Sequence, residues 1–235
     1  MIAILMSTYN GEKYIKNQLL SIQQQTFSDW NLLIRDDGST DNTLDIIQEF
    51  KKHDSRIKII ETDGVKGRGP GRNFLELTKC SLSKYVIFCD QDDIWFEKKL
   101  ELLVEKAEQQ FEENIPCLIY CDAYGYSDVE GVISINSVSY YHAKMLNEFL
   151  FFNSGYQGCS ILFNHRLCNM LASYRAEYFY MHDDIASLLA HTFGKVFFLN
   201  KQLMLYRQHT SNVTGNIAYG LINKLKRATA INSYV

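Results

Sequence analysis

Proline is scarce in this chain of 235 residues, with two in all, and glycine is held to 13. Collagen-like, proline-rich and low-complexity architectures are excluded by that scarcity. An excess of positive charge is missing too: 24 Lys and Arg face 27 Asp and Glu, a net charge of -3. No basic field is available to hold a nucleic acid backbone, so a nucleic-acid partner is not expected. No apolar run approaches the ~20 residues that cross a bilayer. The apolar start, residues 2–6, is too short for a signal-peptide core and is followed at once by Ser7, Thr8, Tyr9 and Asn10. A cytoplasmic protein, soluble or peripheral to the membrane, is the expectation.

Six cysteines could look like a disulfide set, but a chain of this length has core enough without one. Cys80, Cys89, Cys117, Cys121, Cys159 and Cys168 read as reduced, buried thiols rather than a disulfide framework. Cys117 and Cys121 resemble half of a zinc site, but no second Cys/His pair at metal spacing accompanies them. What remains is a globular composition, 46% hydrophobic and 22% charged, long enough for a sizeable core.

The first third alternates short apolar runs with amphipathic stretches, residues 2–6, 12–25, 30–35, 41–52 and 57–61, a β-α-β-α-β order. The apolar runs are nearly unbroken, as parallel strands covered by helices on both faces require. A short helix over 73–79, a strand over 85–89 and a helix over 96–111 complete an open α/β sheet in residues 1–115. Residues 116–235 are less regular and more aromatic. Strands are predicted over 117–121, 157–163, 196–199 and 203–206, a hairpin turn at Glu130–Gly131 and a helix over 183–192. With no linker between them, the two halves are expected to share one sheet.

In such sheets ligands bind beyond the carboxyl ends of the strands. Three polar clusters follow the strands there: Ser7 to Glu12, Asp36 to Asp41, and Asp90-Gln91-Asp92-Asp93. The first two also read as turns and helix caps. The third is harder to assign to structure, because three carboxylates within four residues repel one another unless a cation or a raised pKa relieves them. Mg2+ or Mn2+ held by one or two carboxylates together with substrate phosphates meets that need. The glycine-rich segment 65–73 completes no dinucleotide or Walker pattern and reads as a loop carrying Arg68 or Arg72.

Ser7-Thr8-Tyr9-Asn10 with Glu12, Asp36-Asp37-Gly38-Ser39-Thr40-Asp41, and Asp90-Gln91-Asp92-Asp93-Ile94-Trp95 resemble, in order and spacing, the signatures of the family 2 nucleotide-sugar glycosyltransferases. Met181-His182-Asp183-Asp184-Ile185 and Tyr206-Arg207-Gln208-His209-Thr210-Ser211-Asn212 extend the likeness to the bacterial rhamnosyltransferase-like branch, where His-Asp replaces the commoner Glu-Asp. The resemblance implies an α/β fold of GT-A type: a Rossmann-like, mostly parallel central sheet flanked by helices. Residues 1–115 would then be the donor half, and 116–235 a mixed acceptor-binding half with a closing carboxy-terminal segment.

It implies an inverting, metal-dependent transfer of a hexose or rhamnose from a UDP- or dTDP-sugar to a saccharide acceptor, free or lipid-linked, in bacterial surface polysaccharide synthesis. By that likeness Asp36 receives the nucleotide base, and the backbone of Thr8, Tyr9 and Asn10 lines the nucleoside pocket together with Glu12. Arg72 and Gln91 complete nucleotide binding, Asp90 contacts the ribose of the nucleotide or the metal, Asp92 binds Mn2+ or Mg2+, and His209 completes the binding of that metal or of the diphosphate. Asp183 is the general base, with Asp184 its competitor, and Trp95, His182 and Asp184 meet the acceptor. Tyr140, Tyr141, Phe151, Phe152, Tyr156, Tyr178, Phe179 and Tyr180 divide between core and an acceptor groove. A basic amphipathic helix over 221–228 is expected to pack or to lie on the inner face of the cell membrane. Two other functions stand beside it: a Mg2+-dependent phosphotransfer protein, for which clustered aspartates at strand ends are equally natural, and a noncatalytic sugar-nucleotide or glycan-binding module, against which the intact carboxylate set and Asp183 argue.

Overall fold

The apolar runs of the first third become parallel strands because side chains of both strand faces find cover. In β1 (Ile2–Thr8), Ile2, Ile4 and Met6 enter one core layer and Ala3 and Leu5 the other. Pairing on either side is parallel: β2 (Trp30–Asp36) aligns Ile2 with Trp30 and Thr8 with Asp36, and β4 (Tyr85–Cys89) aligns Ile2 with Tyr85 and Met6 with Cys89. β3 (Ile57–Ile59) extends the sheet beyond β2. The structure is a computed structural model that describes residues 1–61, 65–134, 141–152, 156–175 and 181–209.

Helices α1 (Ile15–Gln23), α2 (Thr43–His53) and α4 (Lys99–Gln110) cover one face through Ile15, Leu19, Ile22, Ile47, Leu100 and Leu103. Phe74 and Leu77 of α3 (Pro70–Thr78), Leu167 and Leu171 of α6 (His165–Ser173), and Ile185 of α7 (His182–Phe193) cover the other. α3 begins three residues before the predicted 73–79, with Pro70 in its first turn, where a missing N–H costs nothing. A short α5 (Leu146–Phe152), not foreseen in the sequence, packs beside α7.

The second half joins the same sheet. β8 (Ile161–Asn164) runs antiparallel to β4 and to β6 (Cys117–Ser127), and β6 lies parallel to β9 (Lys195–Arg207). The strand order is β3-β2-β1-β4-β8-β6-β9-β5, where β5 is the two-residue Ile94–Trp95; β7 (Gly131–Ser134) forms a hairpin on β6. This is the mostly parallel α/β architecture expected of a GT-A fold. The two strands predicted over 196–199 and 203–206 are one. The register jumps from Cys121–Leu199 to Asp122–Gln202, and that irregularity lets a single strand bend without ending. The strand predicted over 157–163 starts only at Ile161, after a 3-10 turn, Gly158–Ser160. Cys80 is exposed, against the expectation; the other five cysteines are buried, and none forms a disulfide.

Gly194 links α7 to β9 at a close approach. A β carbon there would stand 1.7 Å from the carbonyl oxygen of Pro116, which accepts the Lys195 N–H opening the β6–β9 pair. Because the obstacle is backbone, Gly194→Ala is expected to destabilise the fold by about 2–3 kcal/mol. Urea unfolding measures this; an unchanged midpoint would contradict the packing.

Candidate active site

The chain turns left from β1 to β2 and β3 and only then returns to β4 on the other side, so a crevice opens between the carboxyl ends of β1 and β4. Gln91, just after β4, spans it: its amide oxygen accepts from Tyr9 N at 3.0 Å and its amide nitrogen donates to Tyr9 O at 3.0 Å. The loop after β2 is tied to the loop after β1 by side chains. Asp36 accepts from Thr8 Oγ1 at 2.9 Å, Gly38 N at 2.9 Å, Ser39 N at 2.8 Å and Ser39 Oγ at 2.6 Å. Asn10 Oδ1 accepts from Thr40 N, and Glu12 accepts from Asn42 N and Nδ2. Asp37 anchors the glycine-rich loop, accepting from Arg68 N at 3.1 Å and Gly69 N at 2.8 Å. Burial pushes the Asp37 carboxyl up, but bonds from Asn73 and the Gly69, Arg68 and Gly67 N–H groups leave it below the usual carboxylate range.

The acidic loop after β4 is met by the end of β9. Arg207 is buried; its N–H reaches Asp93 Oδ1 at 3.0 Å, its Nε the Asp92 carbonyl at 2.5 Å, and its guanidinium pairs with Asp128. Two residues on, His209 Nε2 lies 2.7 Å from Asp92 Oδ2, with its ring stacked on Tyr14 at 4.8 Å. Asp93 is 1% exposed and one of its carboxylate oxygens has no partner among the described residues. Burial and the Asp92 charge push its carboxyl up to about 7. Asp90 is also pushed well above its ordinary value, by burial and then by Asp93, Asp92 and Asp183. Cys159 Sγ and oxygens of Asp90 and Asp93 lie within 4.8 Å of one another. Nearby, the buried Lys99 donates to the Cys159 carbonyl at 2.7 Å and sits 3.9 Å from the centre of the Trp95 ring.

Asp183 and Asp184 occupy the first turn of α7, where carboxylates are favoured. Asp183 Oδ2 accepts from Gly158 N at 3.0 Å and Oδ1 from Asp184 N at 3.1 Å. Burial nevertheless pushes its carboxyl up to about 6; burial and Asp183 do the same to Asp184. The first turn of α7 and the loop after β4 therefore approach each other, close enough for the Asp183 charge to raise the Asp90 carboxyl.

Several sequence expectations need correction. The Thr8 side chain is buried and its hydroxyl serves Asp36, so only its backbone is left to line a pocket. The side chains of Asn10, Glu12 and Gln91 are spent on neighbouring loops, and Asp36 is first a fastener of its own loop. Tyr9 is 56% exposed on the crevice rim, and Arg72 is exposed on the first turn of α3. Trp95, 3% exposed, is a core residue of β5 and not an acceptor contact. His182, 2% exposed, is stacked on Phe74 at 4.0 Å and set edge-on to Phe88 at 4.5 Å; burial pulls its pKa down to about 3, so it stays neutral inside the core.

Tyr156 is also core, whereas Tyr141, Phe151 and Phe152 are exposed. Tyr140, Tyr178 to Tyr180, Thr210 to Asn212 and the segment 221–228 lie outside the described residues. Cys159, Gly158, Lys99 and Tyr14 were not marked in the sequence as site residues. Nothing local distinguishes them, and their proximity to the acids is created by chain return.

The raised carboxyls make stability depend on pH. Above about 7 the buried histidines, held neutral by the fold, are mostly unprotonated in the unfolded chain as well. Asp90 and Asp93 still hold protons in the folded state that the unfolded chain has released, so stability falls as pH rises from there to about 8. The melting temperature in EDTA is expected to drop over that interval, and Asp93→Asn to flatten the slope. A rise would show that these carboxyls are not desolvated.

The Glycosyl transferase family 2 model matches residues 3–168. The chain is 32% identical over 236 residues to the dTDP-rhamnosyl transferase RfbG of Shigella flexneri, covering 91% of this chain and 75% of that protein. It is 38% identical over 104 residues to the UDP-Glc:alpha-D-GlcNAc-diphosphoundecaprenol beta-1,3-glucosyltransferase WfgD of Escherichia coli, but this covers 44% of the chain and 40% of that protein. The S. aureus TarS 1–349 structure with UDP-GlcNAc superposes with a TM-score of 0.70 at 19% identity, over 90% of this chain and 59% of that one. The mannosyltransferase PcManGT of Pyrobaculum calidifontis, with GDP-Man and Mn2+, gives 0.64 at 14% identity, over 90% and 58%. The signatures at the crevice, the sheet order and these matches agree: the chain belongs to glycosyltransferase family 2.

Proposed function

We propose that the chain transfers a rhamnosyl or hexosyl group, with inversion, from a dTDP- or UDP-sugar to a saccharide acceptor carried on a lipid diphosphate, in the synthesis of a bacterial surface polysaccharide. The observation that carries this reading is the meeting of Asp183, fixed by two N–H groups and pushed up to about 6, with the acidic loop after β4 in one crevice. The donor is inferred from the dTDP-rhamnosyl transferase, and the lipid-linked acceptor from the diphosphoundecaprenol-dependent glucosyltransferase.

The residues fit a hard divalent cation. Asp92 and His209 already meet at 2.7 Å, and Asp93 leaves one buried carboxylate oxygen unpartnered among the described residues. Carboxylate oxygens suit Mn2+ or Mg2+, and an imidazole beside them favours Mn2+ of the two. When bound, the ion would supply positive charge against the donor diphosphate and its growing charge as a leaving group.

Asp183 takes the proton of the acceptor hydroxyl. That oxygen bonds to the anomeric carbon as the bond from this carbon to the phosphate oxygen breaks, and the nucleoside diphosphate leaves. One displacement inverts the centre, so one base suffices. Asp183 is preferred to Asp184 because its two oxygens are held by Gly158 and Asp184 N–H groups. In this reading the Asp36 carboxylate also receives the base, Tyr9 and Arg72 flank the nucleotide, and residues 1–115 and 116–235 act as donor and acceptor halves. The basic segment 221–228 provides peripheral contact with the inner face of the cell membrane.

Asp183→Asn is expected to lower transfer by about 10²–10⁴-fold and to leave nucleotide binding in place. In the wild-type enzyme kcat should fall below about pH 6 as the Asp183 carboxylate gains its proton. Unchanged transfer in the variant would remove Asp183 as the base. Thermal shift with UDP, dTDP, GDP and ADP, each with Mn2+ or EDTA, tests the donor. A metal-dependent rise is expected for UDP or dTDP and should be lost in Asp92→Asn; a rise confined to GDP or ADP would exclude the proposed donors.

A further inference from the structure

The 3-10 turn Gly158–Ser160 touches both acidic groups of the crevice. On one side, Gly158 N donates to Asp183 Oδ2 at 3.0 Å. A β carbon on Gly158 would stand 2.7 Å from Nε2 of His182 and 3.4 Å from Cβ of Asp183. The imidazole has nowhere to retreat: it is buried, stacked on Phe74 and wedged against the edge of Phe88. Its ring nitrogens find no partner among the described residues, so what fixes the ring is packing rather than hydrogen bonding. On the other side of the turn, Cys159 Sγ lies within 4.8 Å of oxygens of Asp90 and Asp93. The Cys159 carbonyl is held by the buried ammonium of Lys99 at 2.7 Å.

We infer that Gly158 and Cys159 form a strut that sets the orientation and distance of Asp183 relative to Asp90 and Asp93, with Gly158 positioning the base through its N–H and through the space it leaves for His182. The inference rests on the reading of Asp183 as the general base. Neither strut residue touches substrate; both are positioning residues. A methyl group at 158 must move the imidazole, which the aromatic rings resist, or turn Asp183 away from its N–H. A base misplaced by a fraction of an ångström loses much of its rate advantage, whereas Gly158 itself meets His182 and Asp183 and none of the nucleotide-binding residues, so donor binding is retained.

The test compares wild type with Gly158→Ala, Gly158→Ala/His182→Ala, Cys159→Ala, Cys159→Ser and Asp183→Asn. Two readouts are used: release of dTDP from dTDP-rhamnose with Mn2+ and water as acceptor, and the 13C carboxyl titration of Asp183, assigned by its loss in Asp183→Asn. For Gly158→Ala, kcat is expected to fall at least tenfold, on the order of the cost of misplacing one group, with KM for dTDP-rhamnose within about twofold. The Asp183 midpoint should move by at least about half a pH unit.

Removing the imidazole gives the new methyl room, so the double variant should recover part of both changes; it also carries the comparison if Gly158→Ala alone melts too early to assay. The Cys159 thiol bonds to the Asp93 carboxyl; Cys159→Ser, which keeps a donor there, should retain more activity than Cys159→Ala. A wild-type kcat and titration in Gly158→Ala, with Asp183→Asn inactive, would overturn the strut and leave the base reading intact. Equal activity in Cys159→Ala and wild type would overturn its Cys159 arm. Full activity in Asp183→Asn would overturn the base reading, and the strut with it.

Discussion

The structure depends on a crowd of carboxylates at the carboxyl end of a covered sheet. Asp90, Asp92, Asp93 and Asp183 converge where β4, β9 and α7 bring three parts of the chain together. Burial strengthens repulsion between like charges and removes the water that would screen it. The surroundings answer this with donors: the Arg207 N–H on Asp93, the His209 ring on Asp92, and the Gly158 and Asp184 N–H groups on Asp183. The residual cost shows in carboxyls held above their usual range, an arrangement ready to accept a proton or a cation.

Much of the polar sequence near the crevice serves rigidity. Thr8, Asn10, Glu12, Asp36 and Gln91 hold one loop against another through bonds of 2.6–3.4 Å. Loops fastened in this way present their backbone and the few unspent side chains, Tyr9 among them, in fixed positions, so that less ordering remains when a ligand arrives. Buried Arg207 has a similar task at longer range: it ties the loop after β4 to β9 and, through Asp128, to the turn between β6 and β7. The same connection carries His209 to Asp92, so the end of β9 and the loop after β4 are ordered together.

The parallel strands of the first half and their helices were legible because each is a local pattern, an apolar run flanked by turn residues. The second half was less so. A strand that bends at an irregularity between Leu199 and Gln202 reads in sequence as two, and a 3-10 turn at Gly158–Ser160 reads as the start of a strand. Trp95 and His182 stand beside acidic motifs and were expected to face the acceptor, yet both are buried. Adjacency along the chain gave no information on which side of the strand or helix each side chain would lie.

What the sequence determined by itself was the chemistry available and its order: carboxylates after each strand, a His-Asp-Asp before a helix, and a late Arg and His. These are short-range features, set by residue type and by a period of two or about 3.6. Tertiary structure alone decided which polar groups remain for a ligand and which are consumed as fasteners. It alone brought Cys159 to Asp90 and Asp93, and Gly158 to His182 and Asp183. Those contacts join residues 24 to 69 positions apart, and the pairing of β8 between β4 and β6 helps make them neighbours.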